Sequence, residues 1–198
     1  MIEMALHSIT PPVLVLAWGN LSRGDDALGP LCLAALQNTL SQGLRDQIEF
    51  LEEYQLQVEH VLDLMGRASV LFIDASLDCQ APFEVTSLVA RRDTSYTSHA
   101  LSPQALLQAF VDVQGDTPPP ATLLAIRGEV FELGAPLSPG AQHNLCAALV
   151  WATDRIAAHA TVSSVYAVRP ASDTTTPAAH PGLAGACAAQ RRQPQTPD

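Results

Sequence analysis

The chain has 198 residues, a length suited to one domain with a sizeable core and a short appendage. Its formal net charge of −10 argues against nucleic acid and anionic membrane surfaces as partners. A 47% apolar content fits a soluble globular protein, and no run is long enough for a membrane span.

Met1 to Thr10 lacks the basic start and long apolar centre of a signal peptide, so a cytoplasmic location is expected. Pro11 and Pro12 close this lead, and Val13 to Trp18 reads as a first strand. Next comes Gly19-Asn20-Leu21-Ser22-Arg23-Gly24-Asp25-Asp26-Ala27-Leu28-Gly29, a glycine-bearing turn that opens a helix near Leu28. Gly19 and Gly24 have the spacing of a phosphate-binding loop, but Asp25 and Asp26 stand where that loop needs Lys and Ser or Thr. Two carboxylates suit a helix N-terminus and repel phosphate. The turn therefore presents carboxylate to a cation or to a reacting group.

Ile48 to Leu51 reads as a second strand, and Val58, Val61, Leu62 and Met65 repeat at helical spacing before Gly66. Val70 to Ile73, closed by Asp74, is a continuous apolar run of the kind found in covered parallel strands. Phe83 to Val89 predicts an edge strand, and Thr94 to Leu101 a loop carrying His99. Ser102-Pro103 and Ser138-Pro139 each place Ser at an N-cap and Pro at the first helical position. Between them Ala121 to Ile126 reads as a buried strand, and the last helix is expected to end near His159.

Strands alternating with helices predict an α/β fold, a three-layer α/β/α sandwich around a twisted, mainly parallel sheet. The domain is expected over residues 1–160. Residues 161–198, poor in large apolar side chains, are expected to form a disordered tail. Cys32, Cys79, Cys146 and Cys187 show no metal-ligand spacing and are expected to be buried free thiols.

Ligands of open parallel sheets gather beyond the carboxyl ends of the strands. Asp26 and Asp74 belong at that edge. With His99 they could hold a transition metal suited to imidazole and carboxylate. Taken singly, each has a plain structural reading, as a helix-terminal residue, a turn residue and a surface histidine. There is no G-x-S-x-G elbow for a serine nucleophile, and Arg91-Arg92 reads as solvated surface.

These residues resemble a known family. Gly19-Asn20 through Asp25-Asp26 to Gly29 is similar to the G-N-x-x-x-x-D-[DE]-x-x-G signature of hydrogenase maturation proteases. Leu71-Phe72-Ile73-Asp74 and His99 match its second and third positions. The resemblance spans Val13 to His159. It implies an aspartyl-type endopeptidase that removes the C-terminal extension of a nickel-iron hydrogenase large-subunit precursor after nickel insertion. It also implies that Asp26, Asp74 and His99 are the catalytic and metal-contacting residues, and that nickel arrives on the precursor rather than as a resident ion. Asp25 is left as a helix cap, and a monomer is expected.

Many members carry an Asp-Gly-Gly-Thr-like segment after the second strand; here Glu53-Tyr54-Gln55-Leu56-Gln57-Val58-Glu59-His60 stands there. That pattern resembles the branch serving cytoplasmic, cofactor-linked (NAD-reducing, bidirectional) hydrogenases. Gln55, Glu59 and His60 are then either contacts of substrate or site, or the start of an exposed helix face. Two further readings stand beside the protease: a non-catalytic chaperone that binds the nickel-loaded precursor through the same residues, and a nucleotide-binding protein, disfavoured by the acidic turn.

Overall fold

A computed structural model describes residues 10–92 and 101–167, with side chains in the last helix to residue 158. The first strand, β1, is Val13–Trp18. It lies at the centre of the fold because every residue from Leu14 to Ala17 is fully buried. A 3-10 turn over Gly24–Ala27 leads directly into α1, Leu28–Thr39. A four-residue α2, Gln42–Arg45, precedes β2, Ile48–Glu53. The next crossover holds a 3-10 turn, Val58–Val61, and returns as β3, Ser69–Ser76. Then follow the edge strand β4, Phe83–Leu88, and α3, Pro103–Gln114. β5, Ala121–Arg127, and α4, Pro139–Ala167, complete the chain.

The five strands are ordered β2-β1-β3-β5-β4, with β4 alone antiparallel. The period-2 alternation of a strand sends successive side chains to opposite faces. Val15, Ala17, Leu71, Ile73, Leu124 and Ile126 meet α1 and α4 on one side. Leu14, Leu16, Trp18, Val70 and Phe72 meet α3 and the β2–β3 crossover on the other. The expected three-layer α/β sandwich with a mainly parallel sheet is the observed fold. From β1 the chain goes outward to β2 on one side and returns to β3 on the other, so the strand order reverses between β1 and β3. Such a reversal opens a crevice at the carboxyl edge.

Both Ser-Pro helix starts are present: Ser102 Oγ accepts from Ala105 N at 3.1 Å, and Ser138 Oγ from Ala141 N at 3.1 Å. Three expectations need correction. The periodicity across Val58 to Met65 gives no α-helix. Leu56, Val61 and Leu64 turn inward instead, and Val58, Leu62 and Met65 stay exposed. A 3-10 turn packs the crossover with fewer residues than an α-helix would need.

The last helix also runs past His159 to Ala167. Alanines favour helix without large side chains to bury. Residues 161–167 therefore continue α4, while 168–198, with Cys187, lie outside the described residues. Finally, Cys32 and Cys79 are buried free thiols, but Cys146 is exposed. Burial pushes the Cys32 thiol up to about 12, which makes it inert as a nucleophile.

Gly29 explains how tightly α1 docks on the sheet. A Cβ there would sit 2.4 Å from the Trp18 carbonyl oxygen and 2.9 Å from that of Ile73. Gly29→Ala should therefore push α1 off β1 and β3, at a cost of at least about 2 kcal/mol. Gly43→Ala, where a Cβ meets nothing within 4 Å, is the control and should be neutral or slightly stabilising. Chemical denaturation of both variants checks this; equal midpoints would contradict the close approach.

Candidate active site at the carboxyl edge of the sheet

The β1–α1 turn is shaped by its own backbone. Gly19 has φ of +145°, and a Cβ there would lie 2.0 Å from the Asp26 carbonyl oxygen, so only glycine lets the turn fold back on itself. Asn20 Oδ1 accepts from Ser22 N at 2.9 Å, an Asx turn, and Asn20 Nδ2 donates to the Tyr54 hydroxyl at 3.0 Å. The Asp26 carboxylate is partly exposed. Its Oδ2 accepts from Asn20 N at 3.2 Å and stands 3.9 Å from the Arg23 guanidinium.

Asp74 projects from β3 near its carboxyl end, on the same face as Phe72. It accepts from the Ala75 amide at 2.8 Å. Burial pushes its carboxyl up to about 7, and the nearby negative charge of Asp26 adds to the rise. The Ala75 amide and the Trp18 side chain, which also hydrogen-bonds the carboxyl, pull the other way without cancelling it. Both aspartates thus stand at the carboxyl edge of the sheet, Asp26 near enough for its charge to act on Asp74, which burial makes reluctant to ionise. His99 lies outside the described residues. Among the described residues, no group of three His, Cys, Asp or Glu side chains is placed to hold a metal ion.

Asp25 has a different task from its neighbour. It is fully buried, and its carboxylate accepts from Glu129 N (2.7 Å), Val130 N (2.9 Å), Ser138 N (2.7 Å) and Ser138 Oγ (2.8 Å). Burial alone would raise its pKa, but these four donors outweigh it and hold the carboxyl below the usual carboxylate range. The helix it serves is not its own: through Ser138 it secures the start of α4 and the loop after β5. The expected helix cap is not formed, since neither the 3-10 turn nor α1 has a side-chain cap, and the carboxylate clamps a distant loop instead. Gly128 allows the approach, since a Cβ there would come within 2.8 Å of the Asp25 Cβ.

In the segment after β2, His60 departs from the exposed-face reading, and the helix is a 3-10 turn. Gln55 and Glu59 are exposed. His60 is buried: its Nδ1 accepts from Gln57 N at 3.0 Å, and its Nε2 lies 3.6 Å from Glu53 Oε1. It closes a reciprocal cap with Gln57 at the head of the 3-10 turn. Beside it an open cleft of about 310 Å³ is lined by Gly19, Asn20, Leu21, Glu52, Glu53 and Tyr54. Sequence reasoning missed Trp18 as a partner of Asp74, Tyr54 as a partner of Asn20, and the Glu129–Ser138 loop as the seat of Asp25. Only Gly128, directly after a strand, hinted at the last.

With this geometry in view, comparison with solved structures places the fold among hydrogenase maturation endopeptidases. The hydrogenase maturating endopeptidase HybD from E. coli matches with a TM-score of 0.58 at 22% identity, over 74% of this chain and 93% of that one. The [NiFe] hydrogenase maturation protease HycI from Thermococcus kodakarensis matches with a TM-score of 0.58 at 15% identity, over 75% and 94%. An endopeptidase from Escherichia coli gives 0.56 at 23% identity, over 71% and 88%. No protein-family model matches the chain, and no curated protein matches its sequence. At these identities the likeness is one of fold.

Proposed function

We propose that this chain is an endopeptidase that removes the C-terminal extension of a nickel-iron hydrogenase large-subunit precursor after nickel insertion. The observation that carries the reading is the Asp26–Asp74 pair at the strand-order reversal, on a fold shared with hydrogenase maturation endopeptidases. In this reading the nickel is part of the substrate. It meets Asp26, Asp74 and His99, and the protein keeps no resident ion.

The donor chemistry of the described pair fits a cation. Two carboxylates share one crevice, and the charge of one already disfavours ionisation of the other. A divalent ion would relieve that repulsion and lock the precursor in place. The nickel supplies an anchor of positive charge, and the protein residues do the rest. Asp26, held by the Asn20 amide, keeps a fixed position at the rim. In the free protein Asp74 holds its proton up to near neutral pH; beside the nickel it would stand as a carboxylate, able to take a proton from attacking water and return it to the leaving amine. Fixing the scissile bond beside this pair converts the attack into an effectively intramolecular step.

The exchange of the Asp-Gly-Gly-Thr-like segment for Glu53 to His60 supports assignment to the branch serving cytoplasmic, NAD-reducing hydrogenases. A cytoplasmic monomer completes the proposal. Among the described residues, no helix is long and apolar enough to cross a membrane.

Incubating the purified protein with nickel-loaded precursor tests the assignment. The expected result is loss of a C-terminal fragment from many precursor molecules per protein molecule. A stable, uncut complex would replace the enzyme with a maturation chaperone.

A further inference from the structure

Eleven large apolar side chains stand exposed among the described residues. Five of them, Leu21, Tyr54, Val58, Leu62 and Met65, belong to the β1–α1 turn and the β2–β3 crossover. Scattered surface apolar residues need no explanation, but a concentration on one segment does. The crossover is not loose. Leu56, Val61 and Leu64 are buried beneath it, and His60 and Gln57 cap its turn. Arg67 ties its end to the carbonyls of Asp63 and Pro11 and to the Glu49 carboxylate. A rigid frame therefore holds Val58, Leu62 and Met65 outward.

Two further observations say what covers them. Leu21 and Tyr54 line the cleft together with Asn20, whose amide holds Asp26, and Tyr54 leads along the chain into Val58, Leu62 and Met65. Glu52, Glu53 and Glu59 are interleaved with it, in a chain of net charge −10. An apolar strip with an acidic border is complementary to an apolar surface with a basic border.

We infer that the row Leu21, Tyr54, Val58, Leu62 and Met65 is the docking surface for the folded body of the precursor, through an apolar patch bordered by Arg or Lys. This rests on the protease reading above and extends it. The crevice takes the metal-bearing end of the precursor, and the crossover takes the rest of its weight. Acidic residues at the border steer encounter more than they add affinity.

The test uses full-length protein and nickel-loaded precursor. The double variant Val58→Ser/Leu62→Ser changes only exposed side chains and should melt as the wild type does. Its KM for the precursor should rise at least about tenfold, with kcat retained, as expected when apolar anchors of an interface are removed. Glu59→Arg should raise KM by about threefold at low ionic strength and by nothing measurable in high salt.

A KM within about twofold of wild type for the double variant would overturn the inference. So would a double variant that turns a wild-type dimer into a monomer while processing stays normal, which would give the face to a second copy of this chain. If the wild type itself leaves the precursor whole, the protease reading falls. Precursor affinity measured in the same samples then decides the surface separately: weaker binding by the double variant supports it, and equal binding overturns it.

Discussion

Asp74→Asn is expected to make the protein more stable above neutral pH while the precursor goes unprocessed. The sign follows from the direction of the shift. Asp74 has a folded-state pKa of about 7 against 3.8 for an unperturbed carboxyl. Between those values the folded chain keeps a proton that the unfolded chain has released. Stability from this group is therefore highest below about pH 4 and falls as pH rises to about 7. A gap of about three units corresponds to roughly 4 kcal/mol at its upper limit.

Asparagine has the same shape, keeps an oxygen for the Ala75 amide, and carries no charge to desolvate. The metal-free variant should gain about 1–4 kcal/mol at pH 8 and nothing at pH 4, measured by denaturant unfolding at both. The cost falls on function, because a neutral amide brings no charge to a cation and exchanges no proton near neutral pH. A stability gain joined to loss of activity is the signature of a strained functional group. A variant less stable than wild type at pH 8 would show that Asp74 serves the fold.

Asp25 is expected to behave in the opposite way. Asp25→Ala strands the buried N–H and hydroxyl of Ser138 and removes the acceptor of the part-buried Glu129 and Val130 N–H groups. Leaving such donors unpaired costs about 1–3 kcal/mol each, not fully additively, so a total loss of about 3–6 kcal/mol is expected. That is a large part of the margin of a domain this size. The folded carboxyl is held below its unfolded value near 3.8. Its contribution is therefore complete above that value and lost as pH falls through the folded pKa. Acid titration of stability should show this loss in the wild type and a flatter curve in Asp25→Asn. Equal stability of wild type and Asp25→Ala at pH 7 would contradict the clamp.

The contrast between these adjacent aspartates marks where sequence reading succeeds and where it stops. Asp26 and Asp74 were legible because each ends a local pattern. One follows a strand and a glycine turn, the other closes an apolar run, and a parallel sheet puts both at one edge. The sandwich itself followed from β1, β3 and β5 reading as covered strands and from two Ser-Pro caps. Asp25 reads locally as a helix cap, but its partners lie more than a hundred residues on, at Glu129, Val130 and Ser138. No local pattern encodes such a pairing.

The β2–β3 crossover failed for a related reason. Val58, Val61, Leu62 and Met65 have helical spacing, but of these only Val61 is buried, joining Leu56 and Leu64 against Trp18, Phe72 and α3. Periodicity reports which residues could share a face, and tertiary packing decides which face is buried. His60 shows the same limit: its burial depends on the cap it forms with Gln57, which becomes visible only once the turn is closed.

In the proposed reading the Asp26–Asp74 pair cuts the precursor. Its most direct test is the intact mass of the hydrogenase large subunit, matured with nickel beside the wild type or beside Asp26→Asn. The short form is expected with the wild type and the full-length precursor with the variant, while the variant melts as the wild type does. A short large subunit produced at the normal rate by Asp26→Asn would contradict that reading.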